Sequence, residues 1–480
     1  MAYTGFIARL KNVHKHSNAD RLLIGECFGN SVIVSLDYTE GQLGVYFPVD
    51  GQLSEEFCKA NDLVRRKDEN GNACGGYLDP DKRNIKAMKL RGERSDGLFL
   101  PLTSLANFTT VSDLKEGDTI TILNGVEICK KYIPKRKEGH WHGGGSKGRK
   151  TKVDLCPTFA QHVDTDQLAY HLGDFKTGDV VELTLKMHGT SGRTGYLPLR
   201  KEKPLNWFQK LFKKHPDVYY EYGYVTGTRR VVLDDTHDGG YYDDNAFRLR
   251  MADKFEGKLR KGETVYYEIV GFVNELTPIM ASVKNSKIKD KEFSKQYGEE
   301  TVFSYGCDPN GSWEEVHWCG VPDILDFDKT IAPKCEVYVY RMTMTNDDGD
   351  VVEMSPDQMR YRCEQMGVKT VPVFETFMIP DDLATYHIYL DEYETTQADI
   401  NFATSPGEYV LRKVEQYFDG PDPIGKTHIR EGVVARIVNR PKIAVYKHKN
   451  HTFKMLSGIA VDSLTDEQIN SMSEDVLAEM

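Results

Sequence analysis

Val181-Glu182-Leu183-Thr184-Leu185-Lys186-Met187-His188-Gly189-Thr190-Ser191 is a strand of alternating residues that ends in a lysine and runs at once into a tight glycine turn with small hydroxyl residues. A lysine at a strand end beside a glycine loop can be held against a phosphate; it is also the pattern of an ordinary surface lysine at a turn. Four further segments bear on that choice. Tyr266-Tyr267-Glu268-Ile269-Val270-Gly271 places an acid inside an otherwise apolar strand, and Val337-Tyr338-Val339-Tyr340 alternates aromatics along another. Glu431-Gly432 stands directly before the apolar run Val433-Val434-Ala435. Ala444-Val445-Tyr446-Lys447-His448-Lys449 ends in two lysines on one face, because residues i and i+2 of a strand point the same way. Buried acids and lysines are costly unless they are paired or working.

Taken together and in this order, the segments resemble motifs I, III, IV and V of the covalent nucleotidyltransferases, the ATP-dependent ligases and mRNA capping enzymes. Lys186 and Glu268 are 82 residues apart, Glu268 and Glu431 163, and Glu431 and Lys447 16, the long second gap leaving room for an insertion. Lys186-Met187-His188-Gly189-Thr190 is closer to the RNA ligase 2 type than to the K-x-D-G of DNA ligases and capping enzymes. Val445-Tyr446-Lys447-His448-Lys449-Asn450 is similar to motif V of RNA ligase 2, and Gly227-Thr228-Arg229-Arg230 resembles the motif with an essential arginine that follows motif I. There are two departures: His188 replaces the motif I aspartate of many relatives, and Ser191 stands where RNA ligase 2 has asparagine.

The N-terminal part resembles tRNA-binding OB folds at Asn12–Leu22 and again at Lys86–Leu98. An OB domain before the ligase core is the arrangement of the RNA ligase 5 group, whereas DNA ligases and capping enzymes carry theirs after motif V. Here 31 residues follow Lys449, too few for such a domain.

The chain has 480 residues, so two domains are expected. At 39% hydrophobic and 28% charged it has material for ordinary cores, and no run approaches the roughly 18 apolar residues of a membrane span. Nine scattered cysteines without a C-x-x-C pair, and an N-terminus without a secretory pattern, point to reduced thiols and a cytoplasmic protein with no membrane partner. The net charge is −11, yet residues 130–152 hold nine Lys or Arg against the single acid Glu138. That stretch contains Gly143-Gly144-Gly145-Ser146 and is read as a linker able to touch a polyanion. The expected organisation is an OB-like RNA-binding β-barrel over 1–129, a basic linker over 130–155, and an α+β nucleotidyltransferase domain over 156–480. Short strands are expected at Thr4–Val13, Leu22–Cys27, Asn30–Ser35, Gly44–Pro48 and Ile120–Leu123. Turns at Gly41, Gly117, Gly178, Gly262 and Gly407 should each precede a strand; helices are expected at Asp357–Met366, Asp381–Ala384 and Thr465–Glu479.

The resemblance implies an ATP-dependent RNA ligase. Lys186 would attack the α-phosphorus of ATP and carry AMP, which passes to an RNA 5′-phosphate and is released when an RNA 3′-OH attacks. An amine nucleophile must be neutral, and at a reference pKa of about 10.4 the neutral fraction at pH 7 is roughly 10⁻³·⁴. Lys447 and Lys449 would depress that pKa and hold phosphate, and Glu268 and Glu431 would hold Mg²⁺ (or Mn²⁺). His188, Gly189, Thr190 and Arg229 would line the nucleotide site, with Tyr340, or else Tyr338, on the adenine. The partners implied are ATP and RNA, with no obligate protein partner evident. The alternatives are a GTP-dependent capping-type guanylyltransferase and an RNA- or tRNA-binding protein on an inactive ligase scaffold.

Other candidates read more plainly. His140-Trp141-His142 and the set Cys307, His317, Cys319 and Cys335 fit no trusted zinc spacing. The acidic run from Asp234 to Asp244 reads as a solvated turn, and Trp207–Lys214 as a basic amphipathic stretch packing on the core.

Overall fold

A computed structural model describes residues 3–134, 155–204, 216–229, 231–233, 246–271, 279–280, 282–301, 335–383, 403, 405–424 and 428–463. The chain divides into two compact units: Met1–Arg136 with Val283–Glu299 and Lys449–Met480, and Lys137–Ser282 with Glu300–His448. The first unit therefore takes in segments from the middle and the end of the chain.

The first unit holds β1 (Gly5–Arg9), β2 (Lys11–Lys15), β3 (Leu22–Cys27), β4 (Asn30–Ser35), β5 (Leu43–Pro48), β6 (Gly97–Pro101) and β7 (Thr119–Ile120). They form an antiparallel sheet in the order β6-β5-β1-β7 and a second in the order β2-β3-β4, with short two-stranded ribbons beside them. Ile7, Val45, Phe47, Phe57 and Leu98 fill its core. The strands at 22–27 and 30–35 lie as expected; the reading of Thr4–Val13 as one strand is corrected to two, broken at Leu10, and Ile120–Leu123 breaks at Thr121. The expected barrel appears among the described residues as open sheets of short strands, not a closed ring. Lys130 and Lys131 belong to a strand, Cys129–Lys131, that pairs with Gly51–Leu53, while 135–154 lies outside the described residues.

The second unit holds β8 (Asp166–Gln167), β9 (Val180–Leu185), β10 (Thr190–Glu202), β11 (Val218–Gly227), β12 (Val232–Leu233), β13 (Glu263–Gly271), β14 (Cys335–Thr345), β15 (Val351–Glu353), β16 (Lys369–Thr370), β17 (Val373–Met378), β18 (Gly432–Ile437) and all but the last residue of β19 (Ala444–Lys449). One sheet runs β8-β19-β18-β9-β17; the other runs β12-β11-β10-β13-β14-β15, with β16 pairing β14. Helices mix with these sheets without a βαβ rhythm, as an α+β class requires. The chain passes from one sheet to the other in the four residues Lys186–Gly189.

Gly41, Gly117, Gly178 and Gly262 all have positive φ, as tight turns demand. Gly407 does not, and the strand expected after it is corrected to a helix, Pro406–Glu415. Ser405 caps it through the Glu408 amide and Pro406 opens it, so Ser-Pro-Gly-Glu is a helix start and not a turn. The glycine serves a close approach: a Cβ at Gly407 would meet the Leu172 carbonyl oxygen at 2.0 Å. The helix expected at Asp381–Ala384 is also corrected, since Asp381 lies in a bend after β17. The Pro356–Met366 helix forms as read, with a capping box between Ser355 and Gln358. Trp207–Lys214, Asp234–Asp244, His140–His142, Cys307, His317, Cys319 and Thr465–Glu479 lie outside the described residues. Cys335 is buried in β14, where burial pushes its thiol up to about 11. No described helix is long and apolar enough to cross a membrane.

That helix is anchored by charge. Arg362 donates to both carboxylate oxygens of Glu263 at 2.8 Å and to the Lys258 carbonyl at 3.1 Å. The Glu263 side chain is 1% exposed. Glu263→Ala strands a buried guanidinium, and urea denaturation should register a loss of about 3–5 kcal/mol; a change below about 1 kcal/mol would mean the pair is solvated.

Candidate active site

Strand register builds the site. Leu185 pairs with Val433 across β9 and β18, and the Lys186 amide donates to the Gly432 carbonyl at 3.0 Å. Lys186 is thus the first residue past β9 and Glu431 the last before β18. Lys186 Nζ lies 2.9 Å from Glu431 Oε1, with the glutamate side chain 3% exposed and the lysine 23%. His188 Nδ1 lies 3.3 Å from Glu431 Oε2. A buried carboxylate is costly to ionise without a cation, and Lys186 supplies it. The pair also aims the amine, because the carboxylate is itself fixed by its place at the head of a central strand.

Gly189 carries the chain past β13. A Cβ there would meet the Ile269 carbonyl oxygen at 2.2 Å, so no larger residue fits this crossing. On the far side Ser191 pairs with Glu268 across β10 and β13, and its hydroxyl donates to Glu268 Oε2 at 3.3 Å. Glu268 pairs in turn with Tyr338 across β13 and β14. Tyr338 is buried with Leu185, Met187 and Val270, while Tyr340 is partly buried against the same cluster. Burial, and then the negative charge of Glu268, push the Tyr340 hydroxyl well above its ordinary value.

Three residues join the site that sequence reasoning missed. His162 meets Tyr340 edge-on, ring centroids 5.5 Å apart. Burial, then the cations Arg229 and Arg341, push its pKa down to about 3, with Lys186 adding to the effect. The imidazole is therefore neutral at physiological pH, and its Nδ1 is buried without a hydrogen-bond partner. Arg248 donates to Thr190 Oγ1 at 2.7 Å and to the Ser191 carbonyl at 3.0 Å, fixing the start of β10. Arg193, fully buried, donates to the carbonyls of Phe159 and Ala160 at 3.1 and 2.6 Å and of Thr228 at 3.0 Å. It ties the segment bearing His162 to the one bearing Arg229. Both arginines lie in unremarkable local sequence; no spacing marks them, and their partners are mostly backbone carbonyls.

Arg229 pairs with Asp164 through a short ion contact. Lys447 is half-buried on β19, beside Gln167 of β8, and Lys449 is the last residue of that strand. The structure thus brings Lys186, His188 and Glu431 into one contact, Glu268 to Ser191, and Tyr340 to His162. Among the described residues no three His, Cys, Asp or Glu side chains gather as a ready metal cage.

Comparison with known proteins gives a fold and no sequence family. No family model matches, and no curated protein does. Among solved structures, a lysine-to-alanine mutant of Naegleria gruberi RNA ligase with ATP and Mn is 15% identical, covering 95% of this chain and 98% of that one at a TM-score of 0.50. A glutamate-to-alanine mutant of the same ligase with ATP and Mn is 16% identical, covering 94% and 98% at 0.51. At this identity the likeness concerns the fold, and it runs nearly end to end.

The His162 imidazole should show no titration by NMR between about pH 5 and pH 8. A midpoint near the ordinary value of about 6.5 would mean that the ring is solvated and the surrounding cations do not reach it.

Proposed function

We propose that this protein is an ATP-dependent RNA ligase that joins 3′-OH and 5′-phosphate ends through a lysyl-AMP intermediate. The observation that carries the reading is the Lys186–Glu431 contact: a lysine at a strand end, aimed by a buried carboxylate, at the crossing between two sheets. The near full-length likeness to an RNA ligase, whose structures were solved with ATP and Mn, supports it.

Lys186 Nζ attacks the α-phosphorus of ATP, a nitrogen–phosphorus bond forms and pyrophosphate leaves. The amine must first lose a proton to solvent, and Glu431 Oε1, in hydrogen-bond reach, aims it at the phosphorus. An oxygen of the RNA 5′-phosphate then displaces Lys186, taking over the AMP. Finally the RNA 3′-OH attacks the 5′-phosphate and AMP departs. Lys447 and Lys449 hold phosphate oxygens and stabilise the charge that develops. Tyr340 stacks on adenine better than Tyr338, which is spent in the core. Gly189 and Thr190 admit the nucleotide against β10, and Arg229 contacts a ribose or phosphate.

Glu431 and Glu268 are hard oxygen donors suited to Mg²⁺ or Mn²⁺, and two carboxylates suffice for an ion that keeps most of its waters. Bound there, such a cation would neutralise phosphate charge and draw Glu431 away from Lys186. His188, already on Glu431 Oε2, orients that carboxylate where relatives have an aspartate. The first unit, with its short antiparallel strands, serves as the OB-like RNA-gripping domain that its sequence resembles. The seven described cysteines are free thiols, in keeping with a cytoplasmic setting.

Intact-mass measurement after incubation with Mg²⁺ and each NTP should give an AMP adduct from ATP alone, absent in Lys186→Ala. Glu431→Ala and Lys447→Ala should slow its formation by roughly a hundredfold or more. A GMP adduct would indicate the capping reaction. No adduct with any nucleotide, after removal of AMP already bound, would leave an RNA-binding protein on a silent ligase scaffold.

A further inference from the structure

The first unit contains a cavity of about 530 Å³, lined by the Lys86–Gly92 stretch, the Lys287–Lys289 turn and the face of the His451–Ser463 helix that carries Met455, Gly458 and Ile459. We infer that this cavity is an RNA-backbone site, taking phosphates on its rim and a ribose or base on its floor.

Five cations line it, Lys86, Lys89, Arg91, Lys287 and Lys289, against one carboxylate, Asp462. That is a strong local excess in a chain whose net charge is −11. Asp462 is held between Lys82 and Lys86, and Asp290 holds Lys89 at 2.6 Å. These pairs fix the inner lysines in place, while Arg91, Lys287 and Lys289 stand exposed at the rim. Arg91 and Lys289 both occupy left-handed backbone, φ 49° and 58°, where asparagine or glycine would be easier. Arg91 does so at the two-residue turn joining the paired strands Met88–Leu90 and Glu93–Ser95. The floor is apolar, from Met88, Ile288 and Met455. It is also open: a Cβ built on Gly458, inside a helix where alanine would be preferred, meets no atom within 4 Å. Among the described residues no atom fills that space.

A rim of cations over an apolar floor suits an anion that has a flat or apolar body. A nucleic-acid strand offers this, with phosphates for lysine and arginine and a sugar–base unit for the floor. The size is that of an ordinary ligand pocket. This inference rests on the reading that the chain acts on RNA, and it is independent of the Lys186 chemistry.

The test uses the full chain and fluorescence anisotropy with a labelled nicked RNA duplex and a single-stranded RNA at several KCl concentrations. The variants are Lys287→Ala with Lys289→Ala, and Gly458→Glu, which brings a carboxylate into the open floor, with Gly458→Ala as its steric control. Each charge variant should weaken RNA binding by about five- to twentyfold, and the lysine pair should lower the slope of log affinity against log salt by roughly one and a half to two. Gly458→Ala and the yield of nucleotide adduct on Lys186 should stay as in wild type. If Gly458→Glu fails to fold, the exposed lysine pair decides alone. Unchanged RNA affinity and salt slope in that pair would overturn the site. So would competition by ATP or inorganic phosphate at concentrations that leave RNA bound elsewhere, which would mark a small-anion pocket. Wild type that forms the adduct but binds no RNA would sink this site alone; wild type that binds RNA through it but forms no adduct would sink the ligase reading alone.

Discussion

A carboxylate at the head of a central strand, almost closed off from water, has to be paired, and Glu431 is paired with Lys186. Much of the site's geometry follows from that requirement. The pairing holds only if β9 and β18 keep their register, because a one-residue slip would turn Lys186 to the other face and leave Glu431 buried alone. The register in turn fixes where the chain leaves the first of the two sheets. From there it has four residues, Lys186 to Gly189, in which to reach the second, and the backbone of β13 lies so close that the last of them, Gly189, can carry no side chain.

Around that contact the protein relies on buried arginines. Arg193, Arg248 and Arg362 each reach into a place where loops or strand ends leave acceptors unsatisfied. A guanidinium has five donors in a rigid fork, so one residue can tie two or three segments at once. Arg193 does this for the carbonyls at 159, 160 and 228, which brings His162 and Arg229 to the same wall. The cost of burying these charges is offset by hydrogen bonds to carbonyls, a hydroxyl and a carboxylate, and the result is a rigid wall around the site.

Legibility in the sequence followed the range of the interaction. Strands at 22–27, 30–35, 180–185, 263–271 and 444–449 were readable because alternation and glycine turns are local signals. Four of the five turn glycines follow the local rule for a tight turn before a strand; the fifth, Gly407, obeys a different one, the helix start set by Ser405 and Pro406. The barrel closure expected of the N-terminal strands depends on which edges meet, which no local pattern carries. Lys186, Glu268 and Glu431 could be named as a set because each is a charged residue set beside an apolar strand, and that anomaly survives in one dimension.

Local sequence sets the strand endings that carry the charged residues, the glycine crossing between them, and the acidic character that makes a basic cavity conspicuous. It does so because side-chain period, backbone freedom and charge are properties of neighbours in the chain. Long-range packing alone settles that Tyr338 is spent in the core while Tyr340 faces His162. It alone also settles that His162 is kept neutral by burial, and then by the cations Arg229 and Arg341. The same holds for Lys86, Lys287 and Gly458, which line one cavity although they are hundreds of residues apart. Burial and electrostatic fields are sums over spatial neighbours, and which neighbours those are is fixed by the pairing of whole strands and not by any stretch of sequence.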